Sequence, residues 1–337
     1  MVAAMALPSS GYDAGVTPLT DRLLTTLELT RLSTAFGAVS NIWFVILLTR
    51  GTERYAYLPA HSIDAMGALV VGALVAVGLF AYGAALNDVL DVRHDATFSP
   101  QRPIPAGRIK LGQAIVVAIG ALIVATLAAN AFQTWALWIT LLTASGILFY
   151  NAAGKYIPAV GFVTIGLIAA AQMFIPNHQL TFTLPIWMVM TQAIALNVAI
   201  HDLEQKRPRI TRRALLGTIL GWLFWSAVLL GAGAFGEGDL WPAETSPFGA
   251  ALPFALAIAF IVVARRKTRG VSGRTAAEKL RRYGALAEAL YGTAWLLVLG
   301  LMHEGLWLAL FALACFVTMT LVKNLTGLAV QPLRYRG

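Results

Sequence analysis

Residues 87–95 read NDVLDVRHD and follow an apolar run, DAMGALVVGALVAVGLFAYGAAL, over 64–86. Asp88, Asp91 and Asp95 are spaced by three and four residues. On a helix those positions share one face, with Asn87 beside them. Three stacked carboxylates repel one another and become stable when a divalent cation sits among them. An oxygen-only donor set selects a hard cation such as Mg²⁺, which keeps waters and is commonly shared with substrate phosphates. The spacing therefore points to a Mg²⁺–phosphate site at the mouth of a membrane helix. The bland alternative is a solvated helix end whose acids pair with bases such as Arg93 or Arg102.

Other segments carry related chemistry. ATFSPQRPIPAGRIK follows the acids, and Arg102 and Arg108 flank two prolines and a glycine in a stiff basic turn. A guanidinium beside carboxylate-held metal suits bidentate phosphate contact, although a basic loop alone is more often a topological anchor. HDLEQKRPRITRR at 201–213 holds a second acid pair, Asp202 and Glu204, two residues apart and so off a common helix face. Lys155 is either a snorkelling anchor or a phosphate contact. His201 is a poor metal ligand among oxygen donors. Gln192 and Asn197 read as interhelical hydrogen-bond partners.

These residues need a scaffold, and composition restricts which one. The 337 residues are 58% hydrophobic and only 12% charged, with mean hydropathy +0.72. A soluble domain is usually about 25% charged. Long continuous apolar runs exclude a β-barrel, whose segments are short and alternating. The single Cys315 forbids a disulfide framework within one chain. The first 20 residues lack a basic region leading into an apolar core, so no cleavable signal peptide is expected.

Ten apolar segments stand out, at about 32–49, 64–86, 111–131, 133–150, 157–176, 183–200, 214–235, 248–264, 285–302 and 305–323. Most approach the ~20 residues that cross ~30 Å of hydrocarbon. Threaded as ten crossings, the chain places 23 of its 25 Lys and Arg on one face, leaving only Arg50 and Arg54 opposite. By the positive-inside rule the basic face is cytoplasmic. All the candidate chemistry falls on it, at the ends of the second, fourth and sixth segments. The +9 net charge is accordingly topological, and no nucleic-acid partner is expected. The predicted architecture is an all-α polytopic membrane protein, a bundle of nine to ten transmembrane helices. A flexible cytoplasmic tail is expected over 1–25, the membrane domain over 26–325 and a second cytoplasmic tail over 326–337.

Asn-Asp-x-x-Asp-x-x-x-Asp at 87–95, followed by Arg102-Pro103-Ile104-Pro105-Ala106-Gly107, resembles the UbiA-type superfamily of intramembrane prenyltransferases. Tyr150 and Lys155 resemble that family's Tyr-x-x-x-x-Lys element, and the acids at 202–204 fall where its second aspartate motif belongs. The resemblance covers roughly residues 25–325. It implies nine transmembrane helices around a cavity that opens laterally to lipid. It also implies an isoprenyl diphosphate bound through Mg²⁺, and transfer of the prenyl group to a hydrophobic, aromatic or polar acceptor with release of diphosphate. Carried onto this sequence, it makes Asp88, Asp91, Asp95, Asp202 and Glu204 metal ligands. Asp88, Asp91 and Asp202 are the catalytic acids, with Asp202 placed to take a proton from the acceptor. Asn87, Arg102, Tyr150, Lys155 and Lys206 bind substrate.

The sequence departs from the family pattern at Lys206, which stands where the second motif usually ends in Asp. A lysine there either repels a cation or binds phosphate directly. Two other readings are a divergent member that binds or traffics an isoprenoid or lipid intermediate without efficient transfer, and a transporter of soluble substrates. The last would show paired inverted repeats and broken helices.

Overall fold

The structure is a computed structural model, and it describes residues 35–236, 240–242 and 245–330, the last nine of these as backbone. The tail expected at 1–25, and the part of the second beyond 330, lie outside the described residues. The apolar runs form helices because lipid offers their backbone groups no hydrogen-bond partner outside the segment itself. The helices are α1 (Phe36–Arg50), α2 (Ala65–Leu90), α3 (Val92–Phe98), α4 (Leu111–Ala129), α5 (Thr134–Ala152), α6 (Pro158–Met173), α7 (Leu184–Leu203), α8 (Arg212–Phe235), α9 (Ala251–Thr268), α10 (Gly273–Val298) and α11 (Met302–Val330). No strand occurs among the described residues.

Every one of the ten predicted segments coincides with a helix, and the molecule is an all-α polytopic membrane protein. Seven of the described helices are long and apolar enough to cross a membrane unaided: α2, α4, α5, α7, α8, α9 with its preceding turn, and α11. By that measure the count is seven rather than nine to ten. The physical reason is visible in the remaining three. α1 and α6 are apolar but only 15 and 16 residues long, about 23 Å of rise, and α10 opens with the charged stretch GRTAAEKLRR. α11 continues to Val330, past the expected domain end at 325.

Small residues let the helices that carry the site pack closely. The buried residues of α4 are all alanine: Ala114, Ala118, Ala125 and Ala129. They face Gly78 of α2, where an added Cβ would fall 2.8 Å from the Ala121 carbonyl oxygen and 2.9 Å from the Ala125 Cβ. With no hydrophobic drive between helices in lipid, such close approach supplies the packing energy. Asp64 accepts from Gly67 N at 2.7 Å and caps α2 at one end; the acid-bearing NDVLDVRHD occupies the other.

A polar tie crosses the bundle. Asn41 on α1 donates to Glu288 on α10 at 2.9 Å, while Gln192 on α7 donates to the Gly284 carbonyl at 3.0 Å and to Glu288 at 3.4 Å. Gln192 is thus an interhelical partner, as its position in an apolar segment suggested. Asn197 instead bonds the Ala193 carbonyl of its own helix at 2.8 Å. Arg50, one of the two bases at the opposite end, is absorbed by the carbonyls of Ala60, His61 and Ile63.

Candidate functional site

α2 does not stop at its acids. Asp91 is its C-cap at φ −90° and ψ 5°, and α3 starts at the next residue. Asp91 N bonds Asn87 O at 2.9 Å and Asp95 N bonds Asp91 O at 2.8 Å, so the helical register carries through. The i, i+3, i+7 spacing therefore holds, and Asp88 and Asp95 are both buried.

The basic turn closes over them. Pro103 O accepts from Arg108 N at 3.0 Å, and Gly107 sits at φ +73°, a conformation that favours glycine. Ile104 and Ile109 anchor this turn in the core. Arg102 Nη1 then lies 2.6 Å from Asp95 Oδ2 and 3.3 Å from Asp88 Oδ1. Asn87 Nδ2 donates to Asp88 Oδ1 at 3.3 Å. Asp91 takes a different base, Lys155 Nζ at 2.6 Å, from the short turn after α5. The Lys155 ammonium is also 5.5 Å from the centre of the Tyr156 ring.

The second segment has its own geometry. α7 ends at Leu203, with Glu204 as C-cap and Gln205 at φ 51°. Gln205 N bonds Asp202 O at 3.1 Å and Lys206 N bonds His201 O at 3.1 Å, the paired bonds of a Schellman turn. The reversal brings Lys206 Nζ to 2.9 Å from Glu204 Oε2, and Arg281 Nη2 of α10 lies 2.7 Å from Glu204 Oε1. Burial alone would raise the Glu204 carboxyl; hydrogen bonds and charge from Lys206 and Arg281 outweigh it and hold the group below its ordinary 4.5. Asp202 is exposed. His201 is buried, with Nε2 at 2.8 Å from Pro208 O and its ring edge-on to Phe162, a structural role.

Tyr150 lies in the last turn of α5, five residues before Lys155. A recess of about 810 Å³ is lined by Tyr156, from the turn that carries Lys155, and by Arg207, Pro208 and Arg209.

The tertiary structure brings Asn87, Asp88, Asp91, Asp95, Arg102 and Lys155 together at one end of the bundle, and gathers Lys206 and Arg281 about Glu204. It does not assemble a single metal-centred group: among the described residues no three acids, histidines or cysteines converge to hold a metal ion. The reason is electrostatic. In a low-dielectric mouth each buried carboxylate draws in the nearest cation, and here Arg102, Lys155, Lys206 and Arg281 serve. The first half still has the right donors for Mg²⁺. Asp88 Oδ1 and Asp95 Oδ2 converge on one nitrogen atom, Arg102 Nη1, so two hard oxygens already share one positive centre. Asp91, at the C-terminal and electronegative end of α2, is open to a cation for the same reason. Arg281 escaped sequence reasoning because it is one of eight bases in the stretch 265–284; its place on the inward side of α10 is a tertiary fact.

An all-helical bundle with seven described helices long and apolar enough to cross a membrane, and with carboxylates and bases interleaved at one end, defines an integral multi-pass membrane protein. Residues 51–209 match the UbiA prenyltransferase family, a span that includes both acidic segments. Over that span the chain is similar to the UbiA-type superfamily. It is 34% identical over 109 residues to a digeranylgeranylglyceryl phosphate synthase of Saccharolobus solfataricus, covering 32% of this chain and 37% of that one. It is 27% identical over 179 residues to the synthase of the same name from Sulfurisphaera tokodaii, covering 53% and 60%. The chain thus spans about a third to three-fifths of the length of these curated relatives. A solved structure described as giving structural and mechanistic insights into digeranylgeranylglyceryl phosphate synthase in membranes shares the fold, with TM-score 0.54 and 18% identity over 82% of this chain and 98% of that one. So does a UbiA homolog from Aeropyrum pernix K1, at TM-score 0.53 and 15% identity over 78% and 97%.

Proposed function

We propose that this protein is a Mg²⁺-dependent integral membrane prenyltransferase that moves an isoprenyl group from an isoprenyl diphosphate to an acceptor and releases diphosphate. The observation that carries the reading is the convergence of Asp88 and Asp95 on Arg102 beside the Asp91–Lys155 pair. Carboxylates that select a hard cation and bases that suit phosphate oxygens stand together at the end of an apolar bundle. The prenyl tail would lie between the helices, and the diphosphate at their mouth.

Asp88, Asp91 and Asp95 would hold Mg²⁺, which supplies charge stabilisation for the departing diphosphate. In the reaction the allylic C–O bond breaks and its electron pair leaves with the diphosphate. Arg102 and Lys155, with Asn87 and Tyr150 ordering the site, stabilise the charge that develops there. An acceptor oxygen bonds to the prenyl carbon and gives up its proton. Asp202, exposed at the end of α7, is the carboxylate available to receive it.

The relatives' name describes two geranylgeranyl groups on a glyceryl phosphate, and for this chain it favours an acceptor of the glyceryl-phosphate class. The recess of Tyr156, Arg207, Pro208 and Arg209 beside Lys155 would receive that phosphate. The distribution of Lys and Arg favours a cytoplasmic orientation for this end and for both termini. Purified protein in nanodiscs, given Mg²⁺, geranylgeranyl diphosphate and geranylgeranylglyceryl phosphate, should release inorganic diphosphate. No release with this or any other acceptor tried would leave the chain an isoprenoid-binding protein rather than a transferase.

A further inference from the structure

We infer that the second acidic segment is a cationic diphosphate clamp rather than a second metal site, with Lys206 and Arg281 gripping the anion directly and a single metal ion held at the Asp88–Asp91–Asp95 half. The inference rests on the prenyl-diphosphate reading above and departs from the ligand set that the resemblance implied.

Helix geometry comes first. A second acid four residues after Asp202 would share its face only if α7 continued. It ends at Leu203, and the Schellman turn carries position 206 off the helix axis and back toward Glu204. The residue delivered there is Lys206, so the turn converts a would-be ligand position into a positive one.

Occupancy of the carboxylate comes second. Each oxygen of Glu204 is already engaged by a base, Oε1 by Arg281 at 2.7 Å and Oε2 by Lys206 at 2.9 Å. A metal at Glu204 would face two resident cations within a few ångströms. A diphosphate meets the opposite situation: Lys206 and Arg281 are 49% and 38% exposed, while Glu204 is only 14% exposed. The bases are presented to solvent and the acid holds them from behind. The carbonyl end of α7 adds its partial negative charge and favours the same pair.

The third support is placement. His201, three residues before Glu204, sets its ring edge-on to Phe162 of α6 at 5.3 Å, and Lys155 lies in the turn that leads into α6. The end of α7 that carries the clamp therefore packs against the segment that carries the partner of Asp91. Glu204 is in this reading a positioning residue: it orients two bases and does not touch metal.

The test counts metal ions against a bound, non-cleavable substrate analogue. Protein in nanodiscs is loaded with geranylgeranyl thiolodiphosphate and Mn²⁺, and bound Mn²⁺ is measured by electron paramagnetic resonance. One Mn²⁺ per bound analogue is expected. Arg281→Gln and Lys206→Gln should each weaken analogue binding about tenfold or more without changing that ratio. Unchanged size-exclusion profiles keep misfolding apart from lost binding. Two Mn²⁺ per analogue in the unmodified protein, or unaltered affinity in Arg281→Gln, would overturn the clamp and leave the prenyltransferase reading standing. No binding of the analogue at all would overturn both.

Discussion

Lys155 Nζ lies 2.6 Å from Asp91 Oδ1, although 64 residues separate them in the chain. The pair joins the end of α2 to the turn after α5 and fixes an ammonium beside the Asp91 carboxylate. Replacing Lys155 by Met removes a phosphate contact and leaves Asp91 to a metal alone. Turnover should fall by about tenfold or more, from the loss of a charged hydrogen bond, and the apparent affinity for Mg²⁺ should rise. Steady-state kinetics over a Mg²⁺ titration would show both.

Asp91→Ala should abolish Mg²⁺-dependent binding of the diphosphate while leaving the bundle folded, because Asp91 stands at a helix junction and not in the core. Equilibrium binding of a labelled prenyl diphosphate with and without Mg²⁺ measures this. Binding unchanged from the unmodified protein would mean that the metal is held elsewhere.

Arg102 presents a different balance. It bridges two carboxylates whose side chains are 6% and 4% exposed, while being 30% exposed itself. Arg102→Ala removes the base that these two buried carboxylates share. The expected cost is roughly 2–3 kcal/mol, below that of a fully buried pair. Mg²⁺ should restore more stability to this variant than to the unmodified protein, because a divalent cation can replace the lost charge. Thermal unfolding in detergent at several Mg²⁺ concentrations reads the difference.

Glu204 sets a pH dependence with a definite sign. Its carboxyl is held below 4.5 in the folded protein, so the folded state favours the ionised form. The stability it contributes is fully present above 4.5 and is lost as pH falls through the depressed value. The gap in melting temperature between the unmodified protein and Glu204→Gln should stay constant from about pH 6 to 8 and narrow only below 4.5.

The polar tie in the bundle gives a stability prediction away from the site. Glu288→Ala strands the Asn41 amide, which is buried, and should cost about 2 kcal/mol. Glu288→Gln keeps a carbonyl oxygen to accept and should cost far less. Comparing the two variants by thermal unfolding separates the hydrogen bonds from the side-chain volume.

Much of this protein was legible in its sequence because lipid imposes simple rules. A helix in hydrocarbon must be apolar and continuous, so each of the ten apolar segments became a helix. Likewise the spacing of Asp88, Asp91 and Asp95 needs only local helix geometry, and the register survives the junction at Asp91. The turn at Arg102–Gly107 is also local, dictated by two prolines and a glycine at positive φ. What the sequence could not decide is pairing across long separations. Nothing local says that Arg281, among eight neighbouring bases, is the one that reaches Glu204, or that Lys155 meets Asp91. Nor does it show that α7 ends before Lys206, which turns an expected metal ligand position into part of a base pair around Glu204. Those facts depend on how α10 packs against α7 and how the chain leaves the helix, and only the tertiary structure brings distant charges to a few ångströms, where Coulomb energy decides.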